Sequence, residues 1–135
     1  MAIEARTTAD RRADIDECRA RDVLDRVGDK WSVNVIYLLG AGTLRFTELL
    51  RGIDGISQRM LTVTLRGLER DGLVSRVVHP VVPPRVDYDL TPMGHTLLST
   101  VTALVVWADR HMEDVDASRR AYDGRLGRRL ESATQ

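Results

Sequence analysis

Residues 56–72 read ISQRMLTVTLRGLERDG. Wound as a helix, this stretch puts Leu61, Leu65 and Leu68 on one stripe and Arg59, Thr62, Val63, Arg66 and Arg70 on the opposite side. Ser57 suits the N-cap, since its hydroxyl can accept from a first-turn amide, and Gly72 suits the C-terminal stop. Such a helix offers one face to a core and the other to something anionic.

Working outward, Thr43 to Phe46 suits a short strand, and Phe46, Leu49 and Leu50 pattern a helix too short to stand without neighbours. Gly52-Ile53-Asp54-Gly55 is turn chemistry, so a short helix, a tight turn and a longer amphipathic helix follow in order, which is a helix-turn-helix arrangement. Downstream, Leu73 to Val82 is rich in valine, and Val86, Tyr88 and Leu90 alternate with Arg85, Asp87 and Asp89, so two strands are predicted. Pro83-Pro84 between them cannot donate to a ladder and suits the tip of a projecting hairpin, a wing. Thr91-Pro92 then opens a helix striped by Leu97, Val101, Leu104, Val105, Ala108 and Met112. Upstream, Asp14 to Val27 carries Ile15, Ala20, Val23, Leu24 and Val27 and stops at Gly28; Asp29 caps a second helix with Trp31, Val35, Leu38 and Leu39 on one side, ending at Gly40-Ala41-Gly42. The predicted fold is mainly α with a small β-hairpin wing, a winged helix-turn-helix.

The chain has 135 residues, enough for one core of ordinary size. Its 43% apolar, 30% charged and 4% aromatic content fits a helix-rich globular protein. The expected division is a mobile arm over 1–13, a winged helix-turn-helix domain that also dimerises over 14–112, and a polar, basic, fraying tail over 113–135. The tail from Asp116 holds five arginines against three acids. The first helix (Ile15, Val23) and the stripe Leu97, Val101, Leu104, Val105, Ala108 and Met112 suit a dimer interface, with a cover for the chain's own core as the alternative. No apolar run approaches the roughly 20 residues of a membrane span, the start has no signal-peptide core, and one cysteine, Cys18, excludes an intramolecular disulfide framework; a cytoplasmic protein is expected.

The formal net charge is zero, so any case for nucleic acid rests on local patches. Arg59, Thr62 and Arg66 lie about a turn apart, as side chains of a helix seated in a major groove would, and Ser57 with the first amides of the helix can hold a phosphate. The bland alternative is a solvated arginine face; the preceding turn and the Pro-tipped hairpin favour double-stranded DNA. A rival of another class is a winged helix that joins a protein partner and never touches DNA, for which zero net charge is the best argument. His79, His95 and His111 have no metal-pair spacing, no phosphate loop or dinucleotide fingerprint is present, and catalysis has no support, so no metal, cofactor or enzymatic activity is expected.

The runs GDKW (28–31), LRFTELLRGIDGISQRMLTVTLRGLERDGLVSR (44–76) and VPPRVDYDLTPMGHTL (82–97), followed by Trp107, resemble the HxlR family of bacterial winged-helix transcriptional regulators over about Cys18 to Met112. The resemblance implies a homodimer, joined through its first and last helices, on a two-fold-symmetric operator. It implies Ser57, Gln58, Arg59, Thr62 and Arg66 on the recognition helix, Arg45 near the preceding helix, and Pro83, Pro84 and Arg85 at the wing. It makes Trp31, Phe46, Leu61, Leu65, Leu68 and Tyr88 core residues. One departure is Thr64, where the family commonly has a basic residue. Many members carry a cysteine where Cys18 stands, and some sense oxidants, quinones or electrophiles with it. Here Arg19 replaces the usual proline, and no second cysteine can resolve a sulfenic acid within the chain. Arg19 and Arg21 favour the thiolate, while Asp14, Glu17 and Asp22 oppose it. The operator and any small effector are not written in the residues.

Overall fold

A computed structural model describes residues 7–16 and 21–134. Cys18 lies outside the described residues, as does the Ile15 side chain. The elements are α1 (Thr8–Asp16), α2 (Arg21–Val27), α3 (Lys30–Leu39), β1 (Leu44–Arg45), α4 (Phe46–Gly52), α5 (Gln58–Arg70), β2 (Val74–His79), β3 (Arg85–Leu90) and α6 (Pro92–Ala133). Contacts divide the chain into two units, Met1–Ser99 and Thr100–Gln135.

In the first unit the core is built from one face of each element: Val35, Ile36 and Leu39 of α3, Leu49 of α4, Leu61, Leu65 and Leu68 of α5, Val74 of β2, and Tyr88 and Leu90 of β3. Each fully buried leucine contributes roughly 2 kcal/mol by removal from water. The expected α3 stripe is rotated slightly. Ser32 and Ile36 are buried, whereas Trp31 is only half-buried and has the Lys30 ammonium 4.3 Å from its ring centroid. Phe46, another expected core residue, is also half-buried.

The sheet has the order β1-β3-β2, antiparallel throughout. Leu44 and Arg76 both stand opposite Tyr88, and Val74 opposite Leu90, so these residues share the core-side face. Arg45 and Val77 stand opposite Asp87 on the other face. The turn into α5 is held by Ile53 and Ile56, 3% and 8% exposed, with Gly55 at φ +80°, a backbone state costly for other residues. At the far end, the Thr91 hydroxyl donates to the Gly72 carbonyl and accepts from the Gly94 amide, fixing the start of α6 beside the end of α5.

Both ends differ from expectation. Helix starts at Thr8, ahead of Asp14, because Thr7 and Asp10 cap it reciprocally: the Thr7 hydroxyl accepts from the Asp10 amide at 3.1 Å, and the Asp10 carboxylate accepts from the Thr7 amide at 3.2 Å. In the second unit α6 does not fray after Met112 but runs to Ala133, since no proline follows Pro92 and the arginines, alanines and leucines outweigh Gly124 and Gly127 as helix formers. On α6, Trp107 and His111 stack with ring centroids 4.8 Å apart.

Candidate nucleic-acid interface

The helix α5 begins as its sequence requires. Ser57 Oγ accepts from the Met60 amide at 3.0 Å, which leaves the hydroxyl proton and the Gln58 and Arg59 amides for an outside acceptor. Leu61, Leu65 and Leu68 point inward, and Gln58, Arg59, Val63, Arg66 and Arg70 are exposed. Neither Arg59 nor Arg66 has a hydrogen-bond or ion-pair partner among the described residues. Thr62 is half-buried, and its hydroxyl donates to the Gln58 carbonyl at 2.9 Å. What Thr62 presents outward is therefore chiefly a methyl group, suited to a thymine methyl. Thr64 is 5% exposed and turned inward, so the threonine itself does not reach the exposed side of the helix.

The two flanks of this helix are unlike. Toward the sheet, Thr62, Arg66 and Glu69 border a cleft of about 360 Å³ with Phe46, Tyr88 and Arg76. Arg76 was not among the expected contacts: a valine-rich strand gives no alternation from which to tell its face, and only the pairing with Tyr88 does so. Toward α2, Met60, Val63 and Thr64 border a hollow lined by Asp22, Asp25 and Asp29. The guanidinium in that hollow, Arg26, is paired with Asp71 and lies over Gly67, where a Cβ would collide with it. Its buried Nε makes a charge contact with the carboxylate and no aligned hydrogen bond.

The remaining expected residues are not gathered on the helix. Arg45 leaves the outer face of the sheet beside Asp87, and its amide caps α4 by donating to Glu48 Oε1 at 3.1 Å. Pro83 and Pro84 are exposed at the wing tip, together with Val82, which is 99% exposed. Arg85 is tied down rather than free: its Nη2 lies 3.3 Å from Asp87 Oδ2, which also receives His79 Nε2 at 2.9 Å. Desolvation pushes the Asp87 carboxyl upward, but the His79 hydrogen bond and the charges of Arg85, His79 and Arg45 outweigh it and hold the carboxyl below its usual value. Asp89 accepts from Thr43 and from the Leu90 amide, so the two strand acids do structural work separately.

A capped helix carrying two unpaired arginines, beside a Pro-tipped hairpin, matches the HxlR-like helix-turn-helix family over residues 26–116. The chain belongs to that family. By family, then, this HxlR-like protein is a helix-turn-helix transcriptional regulator, and such proteins are not enzymes. It is 41% identical over 104 residues to the HTH-type transcriptional regulator YtfH of Escherichia coli K12, covering 77% of this chain and 82% of YtfH. The solved structure of a transcriptional regulator YtfH from Salmonella typhimurium aligns with a TM-score of 0.73 at 41% identity, covering 78% of this chain and 94% of that one. The oxidised form of the redox regulator HypR aligns with a TM-score of 0.65 at 42% identity, over 69% and 96% of the two chains.

Of the residues expected at a dimer interface, Leu104 and Met112 are 54% and 41% exposed on α6, and Val23 is 45% exposed on α2. Ala108 is exposed, while Leu97 and Val105 are half-buried. Val101 is 3% exposed in the single chain and has almost no surface left to offer. Trp107, 56% exposed, was not expected there; its place between stripe positions hides it from a reading at strict spacing. Among the described residues no helix is long and apolar enough to cross a membrane, and no cluster could hold a metal ion.

Proposed function

We propose that this HxlR-like regulator is a cytoplasmic homodimer that binds double-stranded promoter DNA in a sequence-specific manner, seating α5 in the major groove. The observation that carries the reading is the pair of unpartnered arginines, Arg59 and Arg66, on the exposed side of a capped helix whose sheet flank adds Arg76. Arg59 and Arg66 would read bases, Ser57 and the Gln58 amide would hold a phosphate at the helix start, and the wing with Pro83 and Pro84 would lie along the adjacent backbone. Arg85, shared with Asp87, contributes less. The test is fluorescence anisotropy on the DNA upstream of the regulator's own gene. Arg59→Ala should cost about 1–3 kcal/mol if it reads a base. Binding unchanged by that substitution removes Arg59 from the contact set.

Dimerisation through α2 and α6 matches the half-exposed apolar residues there and would present two α5 helices to a symmetric operator. Cys18 is the proposed input, on the strength of the likeness to the redox regulator HypR. With one thiol per chain, oxidation would join two Cys18 residues in a disulfide, passing two electrons to a peroxide or quinone, or leave a mixed adduct. Repeating the DNA titration after peroxide decides this: a response retained in Cys18→Ser leaves the thiol without a role.

A further inference from the structure

Past Met112, α6 keeps an apolar stripe that extends beyond the family match, which ends at residue 116. Tyr122, Leu126 and Leu130 are 60%, 46% and 64% exposed, and Met112, Val115, Tyr122 and Leu126 share one side of the helix at steps of three, seven and four, with Arg119 at the seam position between Val115 and Tyr122. Leaving large side chains open along a helix is unfavourable unless something covers them. The charges beside the stripe say what fits. Residues 109–116 hold four carboxylates and one cation, Arg110, whereas residues 125–132 hold three arginines and one acid, Glu131.

We propose that residues 112–130 of α6 pair antiparallel with the same segment of a second copy of this chain. Setting Val115 of one copy against Leu126 of the other places Glu113 near Arg128, Asp116 near Arg125 and Arg110 near Glu131, so each minority charge also meets its opposite. A parallel pair would stack the arginines on one another. Because the contact is two-fold, every pairing occurs twice, and its centre falls near Arg120. This goes beyond the DNA-binding reading and adds a second self-contact to the dimer proposed there, whose stripe centres on Leu104. Two such dimers joined through their α6 ends would carry two DNA-reading pairs.

The experiment is sedimentation equilibrium on the full chain, with circular dichroism to verify that helix content is kept. Reversing Arg125→Glu with Arg128→Glu should weaken the largest assembly about ten-fold, four exposed contacts being altered by symmetry. Adding Glu113→Arg and Asp116→Arg to the same chain should restore it to within about three-fold. Association unchanged by the reversal, or a loss that the exchange does not recover, overturns the pairing. A wild-type dimer that the reversal leaves intact overturns it too, while the dimer through Leu104 stands. A wild-type dimer that the reversal turns to monomer upholds the pairing and removes Leu104 and Val105 as the interface. A chain monomeric throughout overturns both. If the reversal weakens DNA binding alone, the arginines serve phosphate and the pairing fails.

Discussion

The sheet-side and α2-side flanks of α5 are built from the same few residue types with opposite results. On the sheet side two guanidiniums, Arg66 and Arg76, border an open cleft with Glu69 as the single acid. On the α2 side three aspartates line the hollow, and its guanidinium is consumed by Asp71. The formal charge of the chain is zero, yet the helix is polarised across its width. At physiological salt, charges act over roughly 8 Å, so a phosphate meets one flank and not the sum. Net charge hides this, because Asp22, Asp25 and Asp29 lie on the flank away from Arg66 and Arg76.

The comparison can be broken most forcefully at its positive side. Removing both free guanidiniums, Arg59→Ala with Arg66→Ala, should cost about 2–6 kcal/mol of operator affinity in an anisotropy titration if each reads a base. A loss under tenfold would mean that the exposed arginines are merely solvated. Next, the Arg26–Asp71 pair on the other flank ties α2 to the end of α5. Arg26→Ala should lower stability by about 1–2 kcal/mol in urea unfolding, and bring only the affinity change that follows from misplacing α5. A change in the salt dependence of binding would show that Arg26 belongs with the phosphate contacts. Arg76→Ala should weaken binding by about 1 kcal/mol for all sequences alike and reduce the salt slope by about one; sequence-selective loss would promote it to a base reader.

The smallest effect is expected at the wing stem. Asp87 is held below its usual pKa, so its ionised form stabilises the fold above the unfolded value of about 4, and that contribution disappears as pH falls through the lowered folded value. Melting followed from pH 5 downward should therefore show wild type losing its advantage over Asp87→Asn only below about pH 4. A difference that persists unchanged at the acid end would mean that shape, not charge, joins Asp87 to His79 and Arg85.

Much of this was legible in the residues. Ser57, the 61-65-68 stripe, Gly55, the prolines of the hairpin and Thr91-Pro92 each state a local rule, and each rule was obeyed. What escaped depends on distant pairing or on context. Arg45 and Arg76 went unassigned to a face because a strand's sides are defined only by its partner, here more than ten residues away. Thr64 is polar but inward, since its place on the helix is set by the neighbouring leucines. Gly67 looks like a weak point in a helix until Arg26 is seen above it. The length of α6 was missed because polarity was equated with fraying, although a polar helix can persist when its residues favour the conformation.

The Thr91 hydroxyl joins the end of α5 to the start of α6 by one bond in each direction. Mechanically it works as a pivot pin. The wing spans the chain between those helices, and these two bonds close it at its base. Thr91 therefore sets where the first turn of α6 lies against the foot of α5, independently of the hairpin tip.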